Sequence, residues 1–309
     1  MNGRIVEIAE DRRHLQVSRG FLIIKSTGDD SALVGQIPLD DIAAVIANSH
    51  GLSYSNNILV ALAQRGAPFV LCAANHHTVG VLWPLDGNYH QAKRIERQIL
   101  ASKPLQKRLW ADIVKAKVRQ QMITLERTGS PVTYMTRIIK KVRSGDPENC
   151  EAQAARYYWQ ALLGADFRRD QNAAGANSLL NYGYTIMRSA TARGVVAAGL
   201  HPSLGLHHSN DQNAMRLVDD LMEPFRPIVD FAVWRLVSEG RNEITIETKK
   251  ILANLLYANY QTSLGRTPLI TCIQRLCTSL AQVFVAERKD LELPQNGFLS
   301  SDDYLLNPQ

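Results

Sequence analysis

The period of the apolar residues changes once along this chain, near residue 90, and that change constrains the fold more than any other feature of the sequence. Before it, short β-branched runs (RIVEIAE, HLQVS, FLIIKST, ALVGQIP, IAAVIA) end at turn residues such as Arg19-Gly20 and Gly28-Asp29-Asp30. Such runs predict strands. One helix is expected among them, SNNILVALAQRG, with a polar start and Gly66 as its stop, followed by the strand-like PFVLCAA and TVGVLWP. Beyond the change, in stretches such as AKRIERQILASKPLQKRLWADIVKAKVRQQMITLERTG, apolar positions recur at three and four, which predicts helices. The chain therefore reads as α+β: a small β domain over residues 1–88, a larger all-α domain over 89–293, and a loosely held, flexible tail over 294–309. The boundary is expected around Pro84, in WPLDGNYH.

A chain of 309 residues can bury a substantial core in one large or two ordinary domains. The longest apolar runs are broken by polar or charged residues such as Arg65, so none reaches the roughly 20 consecutive apolar residues needed to cross a bilayer, and no membrane partner is expected. The start, MNGRIVEIAEDRR, has none of the apolar core of a signal peptide. Cys72, Cys150, Cys272 and Cys277 lack CxxC spacing, and reduced, buried thiols in a cytoplasmic protein are the expectation. The net charge of +6 is uneven: residues 1–90 carry six Lys/Arg against eight Asp/Glu, so the whole positive excess lies beyond them. It is densest between Lys93 and Arg143, where only Glu96, Asp112 and Glu126 oppose the Lys and Arg side chains. Such an excess suits a polyanion, because each neutralised phosphate releases condensed counterions. The alternative is a solvated helix face.

Two groups of carboxylates break the helical pattern. In SGDPENCEAQAARYYWQALLG, Asp146 and Pro147 predict a helix start, with the acid as N-cap. At about 100° per residue, Glu151 then shares its face with Ala154, Ala155, Tyr158 and Leu162, the packed side. An inward carboxylate needs a cation, hydrogen bonds or a raised pKa, and a buried ion pair with an Arg or a bond to a Tyr is the alternative to a metal. From about Asn213 to Phe225, Leu217, Val218, Leu221, Met222 and Phe225 form an apolar arc, with Asp219, Asp220 and Glu223 together on the other side. Arg216, four residues before Asp220, predicts an ordinary ion pair there; Arg226 follows Glu223 by three, but Pro224 and Pro227 disturb the helix between them. Adjacent His207 and His208, in a short turn-like segment, are expected to project to opposite sides, so at most one binds an ion. One imidazole with acids suits Mg²⁺ or Mn²⁺ better than a two-histidine iron site.

Four stretches follow one another over most of the chain: IPLDDIAAVI with SNNILVALAQRGAPFVLC, then ENCEAQAARYYW, then NSLLNYGYTIMRSATARGVVAAGLHPSLGLHH, then LVDDLMEPFRP. Together they resemble the CRISPR adaptation integrase, the metal-dependent nuclease family that inserts new spacers, in its type II form. The DLMEPFRP string is the most specific. Where the family's acid-first helix usually reads Glu-Gly-x-Ala-Ala, this chain has Glu151-Ala152-Gln153-Ala154-Ala155, a departure harmless in a helix.

The resemblance implies an N-terminal β-sandwich and a C-terminal helical lobe, with Mg²⁺ or Mn²⁺ held by three catalytic residues. These are Glu151, His208 as the fourth residue of Gly205-Leu206-His207-His208, and Glu223; His207 is left as the non-ligand. It implies strand transfer, in which a DNA 3′-hydroxyl attacks a phosphodiester at the edge of a CRISPR repeat, and endonuclease cleavage when water attacks instead. It implies a homodimer formed through the N-terminal region, two such dimers flanking a dimer of a small second CRISPR adaptation protein in a four-to-two complex on duplex DNA. Asp220 is then expected to support the site, by bracing Arg216 or by orienting water beside the ion. Tyr184 and Arg188, four apart on one helix, are candidate DNA contacts near the ion, with core packing the equal alternative for Tyr184, and Lys140, Lys141 and Arg143 are candidate contacts to duplex phosphates. The rival from another class is a non-catalytic duplex DNA-binding scaffold in which the acids only brace helices. A metal-dependent hydrolase of small phosphoesters fits the ligands but leaves the basic stretch without a purpose.

Overall fold

The computed structural model describes residues 4–28, 31–73, 78–82, 84, 90–262 and 265–297. The chain divides into two compact units, Met1–Gln91 and Ala92–Gln309, where the sequence places the boundary at 88/89. Residues 85–89 themselves lie outside the described residues.

The first unit is built of two four-stranded sheets. One has the order β1 (Arg4–Ile8), β5 (Ile42–Ala47), β7 (Phe69–Cys72), β8 (Thr78–Leu82); the other runs β4 (Leu33–Pro38), β3 (Phe21–Ser26), β2 (Arg13–Ser18), β6 (Leu52–Tyr54). IAAVIA becomes a central strand because its apolar run is continuous: β5 is buried at all six positions and pairs in parallel with β1 and β7. Arg19 and Gly20 make the tight turn between β2 and β3, with Ser18 opposite Phe21 and both turn residues at positive φ (48° and 82°). That is the twist a two-residue hairpin requires. One apolar core joins Leu15 and Leu22 of the second sheet to Val45 and Phe69 of the first, and to Ile58 and Leu62, one turn apart on α1 (Asn56–Gln64). A β-sandwich is the result. The three-residue β6, too short to show a period, has no counterpart among the predicted strands and exists by pairing in parallel with β2.

The second unit is helical: α2 (Gln91–Ile99), α3 (Lys103–Arg127), α4 (Thr133–Lys141), α5 (Cys150–Leu163), α6 (Ala176–Ala197), α7 (Arg216–Met222), α8 (Arg226–Ser238), α9 (Ile246–Asn254) and α10 (Leu269–Phe284). The stretch read as helical from residue 92 forms two helices that part at Ser102, whose hydroxyl oxygen accepts the Leu105 N–H at 3.4 Å, with Pro104 in the new first turn. The all-α expectation needs correcting, because β9 (Asn259–Thr262) and β10 (Gly265–Pro268) form an antiparallel hairpin. Its strands are four residues each, too short for a period of two to stand out. They are anchored by packing instead, with buried Tyr260 edge-on to Phe225 at 6.1 Å between ring centroids.

Helix α6 packs against α7, α8, α9 and α10 and is buried along most of its length. Gly183 permits that closeness: a Cβ there would stand 2.5 Å from Val229 Cγ1 on α8. The tail expected to be loose from residue 294 is held at its start, where Gln120 Nε2 on α3 donates to the carbonyls of Pro294 (3.4 Å) and Asn296 (3.2 Å). Residues 298–309 lie outside the described residues. All four cysteines are buried. Among the described residues no helix is long and apolar enough to cross a membrane.

Candidate functional site

Helix α3 supplies one wall of the site. Trp110 and Lys117 lie about two turns apart on one face, and both are buried. Across from them comes the start of α5, whose first residue is Cys150, with Asn149 in the left-handed conformation before it. Asp146 is therefore not the N-cap residue itself. It caps from four residues upstream, its two carboxylate oxygens accepting the N–H groups of Cys150 and Glu151 at 2.9 Å each. This satisfies free donors of the first turn and fixes the position of Glu151, whose side chain is 28% exposed.

The third wall is a turn and the helix behind it. Asp220 of α7 is fully buried, and its carboxylate gathers the turn of residues 205–208. Oδ2 accepts the N–H of Leu206 (2.6 Å) and of His207 (3.2 Å); Oδ1 accepts the N–H of His208 (3.3 Å) and bonds its ring Nδ1 at 2.6 Å. Gly205 is needed for the fit, since a Cβ there would stand 2.8 Å from the Arg216 Cβ and from the His208 carbonyl. With Nδ1 committed, Nε2 is the ring nitrogen left for another partner. The Asp220 bond raises the His208 pKa above its ordinary value, against the opposing pull of burial. The expected Asp220–Arg216 pair does not form; Arg216 pairs with Asp211 at 3.4 Å instead. The two histidines also do not point to opposite sides, because the turn is not extended. His207 stacks on Trp110 (centroids 4.3 Å apart, planes within 2°) and His208 meets the same indole edge-on at 6.0 Å.

Glu223 begins a 3-10 turn, Glu223–Phe225, between α7 and α8, and is almost wholly buried. Proline fits here because Pro224 and Pro227 each fall in the first turn of their elements. Burial opposes its ionisation, but Arg226, whose Nε lies 3.0 Å away, and Lys117 hold its pKa below the usual carboxylate value. Trp110, Glu151, His207, His208 and Glu223 line one cavity of about 320 Å³.

The sequence reading missed the residue at the centre of this arrangement. Lys117 counted there as part of the basic face, yet its ammonium is buried, bonded to Glu151 Oε1 and 2.6 Å from Glu223 Oε2. Burial works against the charged lysine, but Glu223 and Glu151 together hold its pKa above the ordinary value. The inward cation expected for Glu151 is thus a lysine rather than an arginine. Its signal in the sequence was its place in line with Ile113, Gln120 and Thr124, all buried on α3.

The two candidate DNA contacts on α6 are engaged elsewhere. Tyr184 is buried; its hydroxyl donates to Asp230 Oδ1, and its ring lies under the Arg226 guanidinium at 4.8 Å. It steadies the arginine that neutralises Glu223. Arg188 grips Asp219 through Nε (2.7 Å) and a terminal nitrogen (3.0 Å), tying α6 to α7. Lys140 and Lys141 are exposed at the end of α4, and exposed Arg143 pairs with Glu148 at 2.6 Å.

Asp230 gives the core behind the site a pH dependence. Burial raises its pKa to about 7 although the Tyr184 and Tyr158 hydroxyls favour the carboxylate. The folded state therefore keeps a proton that the unfolded chain releases near the ordinary aspartate value of 3.8, so this group makes stability fall as pH rises from there towards 7. Asp230→Asn is expected to flatten that part of the profile of urea midpoint against pH; an unchanged slope would remove Asp230 as its source.

The donor set suits a divalent ion, since two carboxylates already converge on one cation and one imidazole nitrogen stays open beside them. Among the described residues the side chains as they stand form no group of three or more His, Cys, Asp or Glu at metal-binding spacing. The Lys117 ammonium bridges the two carboxylates.

The family model described as CRISPR associated protein Cas1 matches residues 6–254. A CRISPR-associated endonuclease Cas1 from Neisseria meningitidis serogroup C (strain 8013) is 35% identical over 288 residues, covering 91% of this chain and 92% of that one. Among solved structures, a casposase bound to an integration product superimposes with a TM-score of 0.79 at 18% identity, covering 94% of this chain and 93% of that one. A chain of a Cas6-RT-Cas1--Cas2 complex does so with a TM-score of 0.76 at 17% identity, covering 96% of this chain and 36% of that one.

Proposed function

The chain belongs to the CRISPR associated protein Cas1 family, and from that premise we propose that it is a divalent-metal-dependent DNA integrase and endonuclease. It inserts short duplex spacers into a CRISPR array by attack of their 3′-hydroxyls on phosphodiesters at the repeat edge. The observation that carries the reading is the meeting of Glu151, His208 and Glu223 at one cavity, with His208 turned by Asp220 so that Nε2 is free. The Cas1 endonuclease similar over nearly the whole chain supports the nuclease activity. The casposase likeness supports a fold able to join DNA ends.

Glu151, His208 and Glu223 would hold Mg²⁺ or Mn²⁺, which when bound polarises the phosphoryl group and stabilises charge on the leaving oxygen. The rest is done by the chain's own residues. Asp220 fixes the histidine tautomer and closes the turn that carries it. Arg226, steadied on the Tyr184 ring, keeps Glu223 ionised in its buried place. Trp110 and the stacked His207 form an aromatic wall that limits the room for water beside the attacking hydroxyl. No covalent enzyme intermediate is required, because a strand's own hydroxyl is the nucleophile.

The partners belong to the same proposal: duplex DNA, a second copy of the chain, and a small second adaptation protein in a four-to-two assembly. The similarity to a chain of a Cas6-RT-Cas1--Cas2 complex supports a second adaptation protein as partner. A cytoplasmic site of action follows from a chromosomal substrate. The test is to incubate a short duplex and a repeat-bearing plasmid with the protein and its small partner, with and without Mn²⁺. Joined product is expected only with the ion and only from duplexes ending in a 3′-hydroxyl. Duplex binding without joining under any condition would favour the scaffold instead.

The exposed Lys140, Lys141 and Arg143 lie just before the α5 turn that carries Glu151, a fitting place for duplex phosphates. Replacing all three with Ala is expected to weaken binding of every sequence about equally and to flatten the slope of log affinity against log salt by roughly 2–3. An unchanged slope would mark them as a solvated face.

A further inference from the structure

Lys117 differs from the other basic residues between Lys93 and Arg143 in what its charge does. Its side chain is 10% exposed, and its ammonium joins Glu151 of α5 to Glu223 at the α7–α8 junction. Two carboxylates brought this close repel unless a cation lies with them, and burial strengthens the repulsion. The oxygens that take the ammonium belong to the same carboxylates that a divalent ion would need. We infer that Lys117 is a positioning residue that holds the Glu151–Glu223 pair assembled before the ion arrives, and that it competes with the ion for the pair.

This inference rests on the proposed metal site and deepens it. A dication attracts the pair more strongly than an ammonium does, so the ion wins, but its affinity is reduced by the contacts it must displace. Without the lysine, Glu223 would keep Arg226, but no cation would lie between it and Glu151. The lysine leaves the two carboxylates in register on the cavity.

The test measures Mn²⁺ binding by the electron paramagnetic resonance signal of the free aqueous ion, with thermal unfolding of the same samples. The proteins are wild type, Lys117→Met, Lys117→Gln, Glu151→Gln and His208→Ala. Both lysine variants are expected to bind Mn²⁺ at least about tenfold tighter than wild type. They are also expected to melt earlier without metal and to gain more in Tm from Mn²⁺ than wild type does. Glu151→Gln and His208→Ala should weaken binding. If those two weaken it while both lysine variants bind no tighter than wild type, the metal site stands and the inference about Lys117 is overturned. If Glu151→Gln and His208→Ala leave Mn²⁺ affinity unchanged, the metal site itself fails and the inference with it. Lysine variants that stay unfolded even in millimolar Mn²⁺ also overturn it, since the ion is inferred to take over the ammonium's role.

Discussion

Glu223→Gln is expected to abolish strand transfer while leaving duplex affinity at or slightly above that of the wild type. The loss should be complete because this carboxylate, one of the two that meet at the Lys117 ammonium, would be a ligand of the proposed ion, and the amide offers one weaker oxygen in its place. Binding survives because phosphate contacts are electrostatic and removing an acid makes the surface no less positive. Glu151→Ala and His208→Ala should behave alike, whereas His207→Ala should keep substantial activity: it loses a stacking partner for Trp110, not a ligand. Gel-based strand-transfer assays with a labelled duplex decide this. A dead His207→Ala beside an active His208→Ala would reverse the assignment of the two rings.

The second large effect is expected at Asp220. Its two oxygens accept four donors, three of them backbone N–H groups, with no exposure to water. Asp220→Asn replaces one oxygen with an amide that faces donors, leaving about two of them unsatisfied. At about 1–3 kcal/mol for each buried unsatisfied group, a destabilisation on the order of 3 kcal/mol is expected. His208 also loses the partner that fixes its tautomer, so metal affinity and strand transfer should fall roughly tenfold to a hundredfold, with binding still detectable. Urea unfolding and Mn²⁺ titration together check both parts. Unchanged stability with complete loss of metal binding would make Asp220 itself a ligand.

The sandwich and the helical unit were legible because period is a local property: alternation or a run such as IAAVIA marks a strand, and spacing of three and four marks a helix. Pieces shorter than a period were not. Strand β6 and the β9–β10 hairpin form because a neighbour pairs with or packs on them. At the site, the inward face of Glu151 followed from helical counting, and the resemblance named His208 and Glu223. What stayed hidden were partners supplied across tertiary contacts. Counting charges placed Lys117 on a basic face, when its position beside Ile113 on the packed side of α3 makes it the counter-ion of two carboxylates. Counting four residues back from Asp220 paired it with Arg216, whereas the chain folds a turn over that carboxylate and sends Arg216 to Asp211. Arg188 read as a candidate DNA contact, and Tyr184 as either that or core, because nothing in the local sequence shows that Asp219 and Asp230 lie against them. Sequence spacing reports which face a residue takes, not what the rest of the chain brings to meet it.

The central claim is that one divalent ion sits between Glu151, Glu223 and a single imidazole, that of His208. Electron spin echo measurement of nitrogen coupling to bound Mn²⁺ tests it most directly. The account predicts coupling to one imidazole nitrogen in the wild type and in His207→Ala, and none in His208→Ala. Bound Mn²⁺ with no nitrogen coupling, or coupling that survives His208→Ala and vanishes in His207→Ala, would contradict it.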